Sequence, residues 1–327
     1  MKKLLLVLTL CMLTVSASAQ GLLSSLLGSD EPKGPKVKFY EGDNKAEEEI
    51  LYLKLNGVIQ EKEEDDNTLM SLRNKKSILD TLKENLSFAA KRDAVKAIYL
   101  EINSPGGEVT ASDLVHHMFK KFYEETKKPI IAHIGAMGAS GAYYAACGCS
   151  KIYALPTSMI GSIGVLLQSV NFEELANKLG VKPVTIKSDK TPMKDVLSPM
   201  REMTPEEKAM LLELVETSYQ RFVDIVAEGR KLNREDVIKL ANGSVYTAQK
   251  AYKLGLVDGI GYRDDVAVEI CKMLNLKSVA IVKIVEDKNP LSELLSVFSE
   301  QSNDIRPIIN SFVKQLMIGN QPVLMFR

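Results

Sequence analysis

Residues 134–146 read Ile-Gly-Ala-Met-Gly-Ala-Ser-Gly-Ala-Tyr-Tyr-Ala-Ala, and the pattern around this stretch predicts a strand that turns directly into a helix. The run before it, Pro-Ile-Ile-Ala-His-Ile at 129–134, is rich in β-branched residues, whereas small residues compatible with a helix follow Ser140. A serine at such a junction lies at a helix N-terminus, where free backbone N–H groups and the helix dipole favour developing negative charge. Its small neighbours would let a peptide backbone approach closely. Ser140 is therefore the candidate nucleophile.

The same turn has two other interpretations. The nucleophile elbow of α/β-hydrolases has glycine two residues before and two residues after the serine. This chain has Gly138 at the first position but Ala142 at the second, so the elbow pattern is incomplete. Small residues at a strand-to-helix turn can also do no more than pack closely. A single motif of this kind does not establish catalysis.

A second turn lies upstream, where an apolar strand runs into Asn103-Ser104-Pro105-Gly106-Gly107 before another helix. Two adjacent glycines can present backbone N–H groups in a concave arrangement that binds an oxyanion. Pro-Gly-Gly is also common in ordinary turns, for conformational reasons alone. This segment therefore indicates an oxyanion site only when it is considered together with the serine turn.

Two further motifs follow, and the set of four covers residues from about 50 to 276. The four are Asn-Ser-Pro-Gly-Gly at 103–107, Ala-Ser-Gly at 139–141 with Tyr143 and Tyr144, Gly-Ser-Ile-Gly-Val at 161–165, and Val-Tyr-Thr-Ala at 245–248 continuing to Leu-Gly-Leu-Val-Asp at 254–258. In order and spacing they resemble the signal peptide peptidase A (protease IV) family. One departure is Ala142, where the family more often has glycine.

The resemblance implies an α/β fold of the Clp/crotonase type, a spiral of repeated strand-strand-helix units with a C-terminal helical extension. It also implies a serine endopeptidase with a serine/lysine dyad. In short, single-copy members the lysine follows the serine, and the matching residue is Lys194, although this chain carries a short insertion within residues 189–193. Lys187 and Lys190 are less favoured substitutes. The implied oxyanion donors are the backbone N–H groups of Gly107 and Gly141.

The chemistry of the base also favours lysine. The usual partner of a serine nucleophile is histidine, and this chain has three. His116 and His117 fall in the helix after Gly107, where one is expected to face solvent, and alternation points His133 to one sheet face. Serine/lysine pairs are a known variant of this pairing of a nucleophile with a base. Such a lysine acts only when deprotonated, so its pKa must fall from ~10.4 toward neutrality through desolvation.

Composition excludes several other classes of protein. The chain has 327 residues, 45% of them hydrophobic, enough for one large or two modest domains. Its 42 basic and 42 acidic residues balance, and no basic cluster is interleaved with aromatics, so no nucleic-acid partner is expected. Cys147 and Cys149 are too close together for a zinc site and are expected to pack in the helix after Ser140, without a disulfide framework. Serine/lysine chemistry needs no metal or organic cofactor.

The N-terminus has the pattern of an export signal. Lys2 and Lys3 precede an apolar run at residues 4–15, and Ala-Ser-Ala at 17–19 provides a small-x-small cleavage site. The apolar run is short for a membrane span, which needs ~20 residues. We therefore predict a cleaved signal peptide at residues 1–19. A retained signal anchor is the alternative, because members of the family are often anchored in the membrane. Either would place the protein on the periplasmic side of the inner membrane.

The remaining chain divides into three predicted parts. Residues 20–49, rich in Gly, Ser, Lys and Glu, are expected to form a linker. Residues 50–283 form the peptidase domain. Residues 284–327 form a C-terminal extension with two amphipathic helical patterns, which could cap the domain, mediate oligomerisation or lie against a membrane surface.

Within the domain, periodicity predicts a strand at residues 50–59 and a helix at 77–91 with leucines on one face. Alternating strands and helices are expected to continue to about residue 184, which favours a layered α/β domain. A further helix begins at Thr204, with Pro205 in the first turn and Glu207 completing a capping box. Its apolar stripe, expected to serve core or subunit packing, comprises Met210, Leu211, Leu214, Phe222, Ile225 and Val226.

The sequence thus predicts an exported serine peptidase that cuts peptides or membrane-associated signal-peptide remnants. One copy of the domain is half the size of the family's duplicated members, in which serine and lysine lie in different halves of the chain. We therefore expect a homo-oligomer in which Ser140 of one subunit meets Lys194 of the next. Two other classes remain open: a crotonase-like acyl-CoA enzyme, which the export signal disfavours, and a non-catalytic envelope scaffold.

Overall fold

The computed structural model describes residues 36–61 and 77–285, together with the backbone of Met325 and Phe326. The chain forms two compact units. The first comprises residues 1–38 and 284–307, of which 36–38 and 284–285 are described. The second comprises residues 39–283 and 308–327 and contains the candidate site. The predicted signal peptide, the first part of the predicted linker and nearly all of the C-terminal extension lie outside the described residues. Residues 36–42 of the predicted linker form a strand of the sheet, so the linker prediction is wrong there.

The secondary structure alternates between strands and helices in the first half of the described chain. The strands are β1 (Lys36–Gly42), β2 (Glu49–Asn56), β3 (Val95–Ser104), β4 (Gly107–Glu108), β5 (Ile130–Ala139), β6 (Lys151–Ala154), β7 (Met159–Gly161), β8 (Val245–Thr247), β9 (Gly259–Ile260), β10 (Ala280–Val285) and β11 (Met325–Phe326). The helices are α1 (Ile78–Lys91), α2 (Val109–Thr126), α3 (Gly141–Ala146), α4 (Glu173–Lys178), α5 (Pro205–Arg230), α6 (Arg234–Leu240), α7 (Ala248–Lys253) and α8 (Arg263–Leu274). A 3₁₀ turn spans Pro192–Asp195.

Within the described residues, nine strands form one mostly parallel sheet. Its order is β1-β10-β2-β3-β5-β6-β9, with β7 pairing the end of β5 and β8 pairing β7. Every pair from β10 to β9 is parallel, whereas β7 and β8 run antiparallel. Most residues of the central strands β2 and β3 are buried, as expected where helices cover both faces. The predicted α/β fold of the Clp/crotonase type is confirmed.

The helix signals in the sequence correspond to the observed helices. Helix α1 begins where predicted, with the Ser77 side chain accepting a hydrogen bond from the Asp80 N–H. Helix α5 has the predicted capping box between Thr204 and Glu207. Most of its apolar stripe is buried, but Leu214 is 52% exposed. No helix within residues 36–61 and 77–285 is both long and apolar enough to cross a membrane.

The alternation of strands and helices ends sooner than the sequence pattern suggests. Strand β7 closes at residue 161, and from there to residue 204 the chain forms only α4 and the 3₁₀ turn among regular helices and strands. Much of this segment, which we call the arm (residues 162–204), exposes apolar side chains. Val184 is 84% exposed and Ile186 is 94% exposed. The prediction of alternation to residue 184 is wrong, because the apolar residues it relied on are not buried within this chain.

Helix α2 buries one of the two adjacent histidines. His116 packs edge-on against the Tyr144 ring, with centroids 5.5 Å apart, whereas His117 faces solvent, as predicted for one of the pair. Burial lowers the pKa of His116 to about 4, and the nearby Lys120 adds to the effect. The folded protein therefore keeps this imidazole neutral under conditions in which the unfolded chain protonates it.

This burial predicts a pH dependence of stability. Between pH ~6.5 and ~4 the unfolded chain binds a proton at His116 that the folded chain does not, so the free energy of unfolding falls as pH falls. Across this window the titration of His116 lowers the free energy of unfolding by about 3 kcal/mol. Urea unfolding of wild type and His116→Phe at several pH values measures it, and the variant should lose less stability on acidification. His117→Phe is the matched control, and equal slopes in wild type and His116→Phe would contradict the prediction.

Candidate active site

The site lies where the carboxyl ends of two parallel strands meet. Strands β3 and β5 are neighbours, and Ser104 at the end of β3 pairs with Gly138 near the end of β5. The glycine turn that follows β3 and the serine turn that follows β5 are therefore brought side by side. Ligand sites in open parallel sheets characteristically lie at this edge. The two motifs separated in sequence thus form one site.

Ser140 occupies a sharp turn between strand and helix. Strand β5 ends at Ala139, helix α3 begins at Gly141, and Ser140 between them has φ 55° and ψ −125°. A positive φ is unfavourable for a residue with a side chain, and such strain is concentrated at functional sites. The turn is held by a 2.7 Å hydrogen bond from the Ser140 N–H to the Gly161 carbonyl. The elbow geometry is therefore present although the second glycine of the elbow pattern is absent.

The Ser140 side chain makes no hydrogen bond within the described part of the chain. The residue is fully buried, and its Oγ has no hydrogen-bond partner among the described residues. Buried hydroxyls are normally hydrogen-bonded, so an exception at a strained turn indicates a reactive group. In the sequence, the strand-to-helix junction and the Ala-Ser-Gly motif of the family resemblance both indicated this residue.

His133 is not available as the base. Its Nδ1 is hydrogen-bonded to the Tyr99 hydroxyl, and its Nε2 lies 3.1 Å from the Gly261 carbonyl oxygen. Both ring nitrogens are thus engaged at a buried site in the sheet. His116 packs on Tyr144 instead, and His117 is exposed. The described residues therefore provide no histidine bonded to Ser140.

Gly107 and Gly141 come together as the sequence predicted. A Cβ on Gly107 would lie 1.9 Å from the Ile59 carbonyl oxygen, so only glycine fits. A Cβ on Gly141 would lie 3.2 Å from the Gly107 nitrogen. The glycine turn is fixed by the Ser104 Oγ, which accepts a 3.1 Å hydrogen bond from the Gly106 N–H. The two backbone amides thus flank the serine turn, as an oxyanion site requires.

The direction of the Gly107 amide follows from its neighbours. The Gly106 carbonyl accepts a 2.8 Å hydrogen bond from the Ile59 N–H, and the Glu108 N–H donates a 2.8 Å bond to the Ile59 carbonyl. Successive residues of an extended chain point their N–H groups to opposite sides, so that of Gly107 points away from Ile59. On that side β11 pairs antiparallel with β4, placing Phe326 opposite Gly107. This edge therefore pairs with an extended segment of the same chain.

Lys194 lies apart from Ser140 within one chain. It is exposed in the 3₁₀ turn of the arm, and the unpartnered state of the Ser140 Oγ excludes a hydrogen bond between the two. Lys187, one substitute, is ion-paired with Asp195 and also donates a 2.7 Å hydrogen bond to the Pro192 carbonyl. Lys190, the other, is exposed.

The turn that carries Lys194 is fastened to the start of helix α5, a feature that the sequence did not predict. Arg201 donates to both carboxylate oxygens of Asp195, at 3.0 and 3.1 Å, and to Glu207 at 2.8 Å. Arg201 and then Lys187 hold the pKa of Asp195 well below its usual range. Arg201 likewise lowers the pKa of Glu207 to about 2. Both carboxylates remain anionic at neutral pH, so the turn keeps its anchor.

Comparison with known proteins shows two family matches. Residues 123–277 match the profile of peptidase family S49, and residues 61–168 match that of Clp protease. Together these overlapping ranges include the glycine turn at residues 103–107, the serine turn at Ser140 and the arm.

Similarity to individual proteins extends over most of the domain. The chain is 37% identical over 199 residues to a putative protease, MJ0651, from Methanocaldococcus jannaschii, covering 61% of this chain and 63% of that protein. It is 33% identical over 260 residues to a putative signal peptide peptidase SppA from Enterococcus faecium, covering 76% of this chain and 74% of that protein. It is 32% identical over 198 residues to protease 4 of Salmonella typhi, covering 61% of this chain and 31% of that protein.

Proposed function

This chain belongs to peptidase family S49 and is a serine peptidase, and from that premise we propose that Ser140 is its nucleophile and Lys194 of a neighbouring copy its base. The observation that carries the proposal is the strained, buried and unpartnered serine between the amides of Gly107 and Gly141. A peptidase needs these three groups at one point.

In the proposed reaction the Ser140 Oγ attacks the carbonyl carbon of the scissile peptide bond while the neutral Lys194 Nζ takes its proton. The carbonyl oxygen becomes an oxyanion, which accepts hydrogen bonds from the two glycine amides. The carbon–nitrogen bond then breaks, and the lysine returns the proton to the departing amine. Water, deprotonated by the same lysine, hydrolyses the acyl-enzyme and frees the serine.

The position of Lys194 supports a site shared between copies. Its own chain leaves it exposed on the arm, and many of the apolar side chains of the arm are exposed as well. Packing of this arm on a second copy would cover those side chains and remove water from around the lysine. Desolvation lowers the pKa of a lysine, which is the condition for it to act as a base. We therefore propose a closed homo-oligomer as the active form.

The proposed substrates are extended peptides, including signal-peptide remnants at the cell envelope. The edge of β4 already pairs with an extended segment, so it can bind a peptide backbone without regard to side chains. The predicted export signal at residues 1–19 supports a location on the periplasmic side of the inner membrane, with membrane association. The Enterococcus faecium relative carries the name signal peptide peptidase.

The other two classes have less support. A crotonase-like acyl-CoA enzyme could use the same fold and amides, but it does not require a strained serine. A non-catalytic scaffold leaves both the strain at Ser140 and its unpartnered hydroxyl without a role.

A fluorophosphonate probe, which reacts with activated serines, tests the proposal. We expect labelling of the wild-type oligomer, none in Ser140→Ala and at least ~10²-fold slower labelling in Lys194→Ala, because the base no longer activates the hydroxyl. Lys190→Ala, an exposed lysine of the same arm, is the matched control and should label at the wild-type rate. Undiminished labelling of Ser140→Ala would show that another residue is the nucleophile.

A further inference from the structure

One buried hydroxyl beside the site has no role in the mechanism above. Among the described residues, the buried side-chain polar atoms without a hydrogen-bond partner are the Oγ atoms of Ser112, Ser140 and Ser150 and the Nε of Arg263. Ser140 is the nucleophile. Ser112 is fully buried in the first turns of helix α2, which follows directly after the glycine turn. A buried hydroxyl without a partner destabilises the protein, so its presence at this place requires an explanation.

The Ser112 hydroxyl lies beside Gly141, close to the position from which the Gly107 amide is also within reach. A Cβ on Gly141 would lie 2.2 Å from the Ser112 Oγ and 3.2 Å from the Gly107 nitrogen. The hydroxyl therefore lies against the backbone of Gly141 on the side facing Gly107. It belongs to the same small volume as the amides, and it has a proton to donate and no acceptor within the described chain.

We propose that the Ser112 hydroxyl is a third hydrogen-bond donor to the oxyanion, in addition to the amides of Gly107 and Gly141. The proposal rests on the function proposed above. In the free enzyme the hydroxyl has no acceptor, and the negatively charged oxygen of the tetrahedral intermediate provides one. A donor that gains its partner only as charge develops accelerates the reaction, because it stabilises the transition state more than the bound substrate.

Ser112→Ala separates this role from simple packing. Because the substitution removes an unsatisfied polar group, it should raise the thermal unfolding midpoint, while kcat on a leucine-rich fluorogenic peptide falls by about 10²-fold with little change in KM. A residue that only supports the fold would lower stability and activity together. Ser150→Ala removes another unpartnered hydroxyl outside the site and should leave kcat unchanged.

Two inhibitors provide the second measurement. A leucine peptide boronic acid forms a tetrahedral adduct with serine, and its inhibition constant should rise in Ser112→Ala by the same factor by which kcat falls. The same peptide with a reduced, uncleavable bond imitates the ground state and should bind equally well to wild type and variant. Wild-type kcat in Ser112→Ala, or equal weakening of both inhibitors, would overturn the proposal. Full hydrolysis by Ser140→Ala would instead overturn the proposed function.

Discussion

Replacement of Ser140 by alanine is expected to abolish peptide hydrolysis, with kcat falling at least ~10³-fold while the fold stays intact. Lys194→Ala should have a similar effect, because residues that act as one unit lose nearly all of their contribution when either is removed. His133→Ala should retain most activity, because both of its ring nitrogens are bonded within the sheet rather than to the serine. Initial rates on a fluorogenic peptide, with circular dichroism to verify folding, measure all three.

The surrounding lysines are the controls for this result. Lys190→Ala changes an exposed lysine of the arm without touching the turn that holds Lys194, so it should keep wild-type activity. Lys187→Ala removes one ion-pair partner of Asp195 and should reduce activity only in part, because Arg201 still holds that carboxylate. Full activity in Lys194→Ala would show that another group is the base.

The second large effect is the recovery of activity when two inactive variants are mixed. If each active site takes its serine from one subunit and its lysine from the next, an equal mixture of Ser140→Ala and Lys194→Ala that exchanges subunits should regain about one quarter of wild-type activity. Each variant alone should stay inactive at every concentration. The quantity measured is the specific activity of the whole exchanged mixture, and two different affinity tags verify that subunits have exchanged.

A second mixture checks the same geometry. An equal mixture of wild type with the double variant Ser140→Ala, Lys194→Ala should have, per total protein, about one quarter of the wild-type specific activity if sites are shared, and about one half if each chain builds its own site. No recovery in the first mixture together with half activity in the second would place the dyad within one chain.

Local sequence patterns were sufficient for the framework of the site. The change from β-branched to small residues around Ser140 correctly predicted a strand-to-helix junction, because this preference is a property of the residues themselves. The meeting of Gly107 with Gly141 was expected from the family resemblance, and the structure explains it by the parallel pairing of β3 with β5, whose carboxyl ends lie at the same edge of the sheet. The capping box at Thr204 is likewise a local signal.

Features that depend on distant contacts were not predictable. Ser112 resembles any polar residue in the first turns of a helix, and its position against Gly141 arises only from the packing of α2 on α3. The anchoring of Asp195 by Arg201 depends on side-chain geometry that no periodicity encodes. The end of the alternation at the arm was not predictable either, because hydrophobic periodicity assumes that apolar side chains are buried, whereas many of those in the arm are exposed.

The left-handed backbone at Ser140 has a consequence for directed evolution of this protein. Glycine adopts a φ of 55° without the cost of order 1–3 kcal/mol that a residue with a side chain incurs there. A library selected only for heat resistance would therefore enrich the substitution Ser140→Gly, a change that removes the reactive oxygen at the same time. Stability and turnover are opposed at this single position. Selection of a robust variant must consequently impose both requirements in every round.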